Sequence, residues 1–142
     1  MRRPIASLAV IAMTVAGLIG FAPSASAGDY GCAGSLVYSK NLTGPGNEVW
    51  STAKLYYSSA NGGTNCMVLV AKKYAGIKHY MYAMLRVDGR TGSHVNEGQF
   101  AWYAGPVVRT NTDGHCVSGG FWEYSPDNSI QTGAGFDSVA CG

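Results

Sequence analysis

Lys78-His79-Tyr80-Met81-Tyr82-Ala83-Met84-Leu85-Arg86-Val87 is the stretch that decides the fold class. Tyr80, Tyr82, Met84 and Arg86 share one parity, and Met81, Ala83, Leu85 and Val87 share the other. A period of two separates a buried aliphatic face from an aromatic, partly wet one, which is the signature of a half-buried strand. Asp88-Gly89 then breaks it.

Working back toward the N-terminus, Thr64 to Lys72 places Cys66, Val68 and Val70 on one side and Met67, Leu69 and Ala71 on the other. Both faces are apolar, so this strand is expected to be central. Asn61-Gly62-Gly63 tolerates positive φ and joins it to a strand over Val49 to Tyr57. Ser35 to Ser39 is a short first strand.

Toward the C-terminus, Thr91 to Gly98 is polar and is expected to be a loop carrying His94. Gln99 to Tyr103 is strand-like until Gly105-Pro106, where proline lacks a ladder donor, and Val107 to Arg109 resumes after a bulge. Two further pieces, Cys116 to Tyr124 and Gly135 to Val139, flank the turn Ser125-Pro126-Asp127-Asn128. No stretch of this part has a sustained helical period. The prediction is an all-β, antiparallel sandwich or barrel, with a single curled sheet as the alternative.

The first 27 residues read differently. Arg2 and Arg3 precede an apolar run from Ile5 to Phe21, and Ala25-Ser26-Ala27 supplies small residues for cleavage after Ala27. This is the pattern of an export signal, and the run falls short of the roughly 20 apolar residues that a membrane span needs. The expected division is a signal peptide over 1–27 and one secreted β domain over 28–142.

Cleavage removes two of the ten basic residues and none of the eight acidic ones, leaving the mature chain neutral. With no basic patch, nucleic acid is not an expected partner, and neither is the membrane once the signal is removed. Cys32, Cys66, Cys116 and Cys141 all lie in the mature part, and an oxidising compartment favours their pairing. Four cysteines allow three pairings, among which sequence does not choose; we lean to Cys32 with Cys66 and Cys116 with Cys141. No two stand at C-x-x-C spacing, so no metal site and no cofactor is expected.

Catalytic constellations are not evident. His79, His94 and His115 have no free cysteine partner, and no serine lies in a G-x-S-x-G elbow. Glu48, Glu97 and Glu123 are scattered, and we read them as solvated surface charge rather than a glycosidase pair. The aromatic residues are the better lead. Tyr56, Tyr57, Tyr80, Tyr82, Trp102, Tyr103, Trp122 and Tyr124 fall on predicted strands, so alternation puts some of them outside. We take Tyr56, Tyr80, Tyr82, Trp102, Tyr103 and Trp122 as the possible binding aromatics, weighed against ordinary packing across two sheets.

Several segments together carry a family resemblance: Asn65-Cys66-Met67-Val68, Leu85-Arg86-Val87-Asp88-Gly89, Gln99-Phe100-Ala101-Trp102-Tyr103-Ala104-Gly105-Pro106-Val107, Gly114-His115-Cys116-Val117 and the closing Cys141-Gly142. In these, over about Cys32 to Gly142, the chain resembles the spore-associated protein A family, small secreted proteins of spore-forming filamentous bacteria. It departs from the family pattern at Cys32-Ala33-Gly34-Ser35-Leu36, where an early Cys-Gly-x-Gly-Tyr is usual. The resemblance implies a place at the spore or cell surface and no enzymatic chemistry.

The expected function is therefore that of a secreted, non-enzymatic, surface- or spore-associated protein that acts by binding, as an adaptor in an extracellular assembly. Its partner would be another secreted or cell-surface protein, or cell-wall polysaccharide. Two alternatives are a carbohydrate-binding module using the aromatics and a secreted protease inhibitor presenting Asp88 to Gly98 as its loop.

Overall fold

The computed structural model describes residues 28–142; the proposed export signal lies outside them. Eight strands follow one another: β1 (Ser35–Thr43), β2 (Val49–Ser58), β3 (Thr64–Ala71), β4 (His79–Val87), β5 (Ser93–Phe100), β6 (Tyr103–Thr110), β7 (Val117–Tyr124) and β8 (Gln131–Val139). They form two four-stranded sheets, β1-β2-β3-β6 and β5-β4-β7-β8, in which every pairing is antiparallel. The all-β expectation holds, and the architecture is the sandwich.

Between the sheets, Leu55, Met67 and Leu69 from one side meet Met81, Leu85 and Phe121 from the other, each fully buried. Alternation in β4 works as its sequence implies, with Met81, Ala83, Leu85 and Val87 inside and Tyr80, Tyr82, Met84 and Arg86 outside. The β2–β3 hairpin turns through Asn61, Gly62 and Gly63, all at positive φ of 56°, 69° and 83°.

β3 has a second apolar face because something covers it. The segment from Gly28 to Gly34 folds over the outside of the first sheet, and the Cys32–Cys66 disulfide fastens it there. Cys32, Tyr56, Cys66, Val68 and Val70 form a small outer core under that strap, with Tyr30 and Tyr103 packed against it. Cys116–Cys141 is the second disulfide and ties β8 to the start of β7.

Three expectations are corrected. The polar stretch Thr91 to Gly98 is mostly strand, because β5 is an edge strand with one face in solvent and needs few apolar residues. Gln99 to Tyr103 is not one strand but is divided at Ala101-Trp102, where the chain crosses between sheets, while the expected bulge at Gly105-Pro106 is present inside the edge strand β6, both residues standing against Val68 before Val107 resumes the pairing. β1 and β8 are also longer than expected, extending to Thr43 and beginning at Gln131.

The two seams of the sandwich are closed by side chains reaching backbone. Along β5 and β6, Gly105 N donates to Asn96 Oδ1 (2.8 Å) and His94 Nδ1 donates to Val108 O (2.6 Å). Along β1 and β8, Lys40 Nζ donates to Gly135 O and Thr132 Oγ1 to Thr43 O, each at 2.6 Å.

Candidate functional site

Two places in this frame hold unusual side chains, one buried and one open. The buried one lies at the end of the sandwich where β2, β4 and β7 meet. Ser51 Oγ donates to Glu123 Oε2 at 2.6 Å, and His79 Nε2 lies 3.2 Å from the same oxygen. His79 Nδ1 donates to Ile77 O at 2.7 Å. All three side chains are essentially inaccessible, and Glu123 Oε1 has no partner. Tyr74 covers the group, its ring 5.5 Å from His79 and 5.0 Å from Trp50.

Burial pulls the His79 pKa down, but the hydrogen bond to Glu123, the bond to Ile77 O and the carboxylate charge outweigh it, so the net direction is up. The protonated imidazole is thereby favoured relative to a free one, and the pair becomes an ion pair when His79 carries that proton. It does not have the order of a nucleophilic triad, in which histidine stands between serine and acid; here the carboxylate stands between. A buried carboxylate needs a partner to be tolerated, and Ser51 and His79 supply it. Glu123 was expected at the surface, and that is corrected: it alternates with Trp122 and Tyr124 and shares the inward parity of Phe121.

The open place is the outer face of the second sheet. Tyr82 pairs with Trp122 across β4–β7, and their rings stack at 3.4 Å between centroids with planes 12° apart. Beside them Tyr80 and Tyr124 meet edge to face at 5.8 Å. Register extends these pairs into two rows across the sheet. One runs Gln99, Tyr80, Tyr124, Gln131; the next runs Glu97, Tyr82, Trp122, Gly133. A third row, Val95, Met84, Gly120, Gly135, carries two residues without side chains.

Tyr80 Oη donates to Glu97, and this bond, with burial and the carboxylate charge adding to it, pushes the phenol up to about 12. Tyr82 is also raised, first by burial and then by Glu97. Both phenols therefore stay protonated donors at any physiological pH. Glu97 and Glu123 lie on opposite faces of the sheet, so they do not form a carboxylate pair around one cleft.

Of the six aromatics singled out from sequence, Tyr80, Tyr82 and Trp122 come together on this face. Tyr56 is only 4% exposed, under the strap, and offers no ring to a ligand; Tyr103 is half-buried against Tyr30. Trp102 is 63% exposed but stands apart in the β5–β6 turn beside Gly76. Tyr124 joins the face although it was not among the six. Its parity with Trp122 in β7 is the signal that would have found it.

Elsewhere, a shallow groove of about 600 Å³ runs along the β5–β6 seam, lined by His94, Val95, Asn96, Pro106 and Val108 among others. Among the described residues no three His, Cys, Asp or Glu side chains converge as a metal ion would require, and no helix is long and apolar enough to cross a membrane. No family model, curated protein or solved structure matches this chain.

Proposed function

We propose that this chain is an exported, non-enzymatic binding protein of the spore-associated protein A kind, held at the cell or spore surface, and that its working surface is the outer face of β5-β4-β7-β8. One asymmetry carries this reading. The middle of the first sheet's outer face, around Tyr56, Val68 and Val70, is covered by residues 28–34, with Leu36 and Val108 exposed at its edges, while on the second sheet no segment of the described chain lies over Tyr80, Tyr82, Trp122 and Tyr124. These side chains are partly exposed, packed on one another rather than under another segment, and rigid aromatics in such a row are the usual anchors of binding surfaces.

Two buried disulfide-bonded sulfurs and two nearer the surface suit an oxidising compartment. The burial of Ser51, His79 and Glu123 supports a binding rather than catalytic role, because no substrate reaches them. An inhibitory loop is less well supported, since most of Asp88 to Gly98 is strand β5.

The test is to express the full chain in a spore-forming filamentous host and follow where it goes. A processed chain beginning at Gly28, retained on washed cells or spores and released by the Tyr82→Ala, Trp122→Ala double variant, is expected. An unprocessed intracellular chain, or retention indifferent to the double variant, would refute the proposal.

A further inference from the structure

Trp122 presents one indole face to a floor without side chains. Tyr82 covers the ring from the β4 side, so its other face is turned toward β8, where the residue opposite is Gly133. Gly120 and Gly135 continue this floor in the next row. The result is a step, with an upright aromatic wall beside bare backbone, on an open sheet about 14 Å across at ordinary strand spacing.

The groups around the step are of one chemical kind. Gln99 and Gln131 end the first row as exposed neutral amides, Tyr80 and Tyr124 bring phenols, and Glu97 brings the only charge in the two aromatic rows. No lysine or arginine stands in the two aromatic rows; Arg86, further along the same face, is paired with Asp137. A ligand must offer a flat apolar patch to the indole and hydroxyl groups to amides and a carboxylate.

We infer that this face takes a neutral, pyranose-based polysaccharide, one sugar ring stacking on the free face of Trp122 above Gly133 and Gly120 while its hydroxyls bond the Gln131 amide and the Tyr124 phenol on that side of the aromatic wall, and sugars further along the chain reach Glu97 and Gln99 beyond it. C–H groups on one side of a pyranose meet the electron-rich ring face, and the equatorial hydroxyls point outward to the polar rim. The inference rests on the proposal that this face is the binding surface, and adds the ligand class.

Gly120 provides a precise probe. A Cβ there would touch only Met84 Cε, at 3.4 Å, the flexible end of a side chain, so a substitution can begin on the floor without its Cβ meeting backbone. The experiment is depletion of the exported chain, residues 28–142, from solution by insoluble cellulose, chitin and purified peptidoglycan. Wild type is compared with Trp122→Ala, Gly120→Phe and, away from the face, Val108→Ser.

At least one polymer should retain the wild type and Val108→Ser alike, and both face variants should weaken retention roughly tenfold or more. Gly120→Phe should melt cooperatively, near the wild-type midpoint. The polymer that binds tells a plain glucan from an N-acetylated chain or the cell-wall glycan.

If no polymer retains the wild type, or if both face variants are retained as well as it is, the saccharide is wrong. Should Trp122→Ala then still abolish retention on whole spores or cells, the face remains the binding surface for another ligand; should it leave that retention unchanged too, both proposals fall.

Discussion

Tyr82 and Trp122 stack across the β4–β7 pair with ring centroids 3.4 Å apart and planes within 12° of parallel, on the solvent side of the sheet. The contact is a cross-strand pair at the surface, and such pairs contribute only about 0.5–1.5 kcal/mol to stability. Trp122→Ala should therefore lower the unfolding free energy by about 1 kcal/mol, measured by chemical denaturation. A loss of about 4 kcal/mol or more, the scale of a buried aromatic truncation, would mean that the indole is core rather than surface.

Removing His79 should be far more damaging than its polar character suggests. His79→Ala leaves Glu123 buried with only Ser51 as partner, and an uncompensated buried charge costs about 3–5 kcal/mol. Glu123→Gln combined with His79→Ala should recover part of that loss, because no charge is then left in the core. Denaturation midpoints of the single and double variants measure it.

The same pair sets a pH dependence whose sign follows from the raised His79 pKa. Glu123 is the charged group bonded to it, Ile77 O accepts from its other ring nitrogen, and the Tyr74 ring lies against it. Protonated His79 is favoured in the folded state. Its contribution is fully present below the unfolded histidine value of about 6.5 and is lost as pH rises through the folded value. Wild-type stability should fall over that interval, and His79→Gln should remove this component of the fall, read from denaturation curves at closely spaced pH.

At the β7–β8 turn the opposite sign applies. Asp127 is held at about 2, first by Ser125 Oγ and then by Ser129 through its hydroxyl and backbone N–H. Its contribution is present above the ordinary carboxylate range and is lost as pH falls toward 2. Asp127→Ala should speed amide exchange at Ser129 and Ile130 at neutral pH, and exchange in the variant should no longer respond to acid through this carboxylate.

The two disulfides should differ in accessibility. Cys32 and Cys66 are buried beneath the strap, whereas Cys141 is exposed. A mild thiol reductant should open Cys116–Cys141 first, as shown by mass after alkylation. Opening Cys32–Cys66 should additionally uncover Tyr56, Val68 and Val70, and the protein should then bind a hydrophobic dye.

Much of this was legible because alternation is a local property. Tyr80 to Val87 specifies one strand and its inner face without reference to anything else, and the two apolar faces of Cys66 to Ala71 announced a central strand. What covers its outer face did not show, since the strap from Gly28 to Gly34 is held by a disulfide partner 34 residues away. β5 was hidden for a different reason: Ser93-His94-Val95-Asn96-Glu97 has polar residues on both parities, and only its place at the sheet edge makes it a strand.

Glu123 was misplaced although the parity of Phe121 and Trp122 was in plain view, because an unpaired carboxylate belongs in water. Its partner His79 is an inward residue 44 positions away, and pairing across that distance is a property of the fold. The aromatic face was half legible for the same reason. Parity put Tyr80 and Tyr82 together, but register between β4 and β7 was needed to bring Trp122 onto Tyr82 and to remove Tyr56 to the other sheet.

The central claim, that this face is the working surface, is tested most directly by comparing retention of wild type and Trp122→Ala on washed spores or cell envelopes, with melting curves of both proteins taken in parallel. The expected result is a loss of retention of roughly tenfold or more in a variant that still folds. Equal retention of the two folded proteins would contradict it.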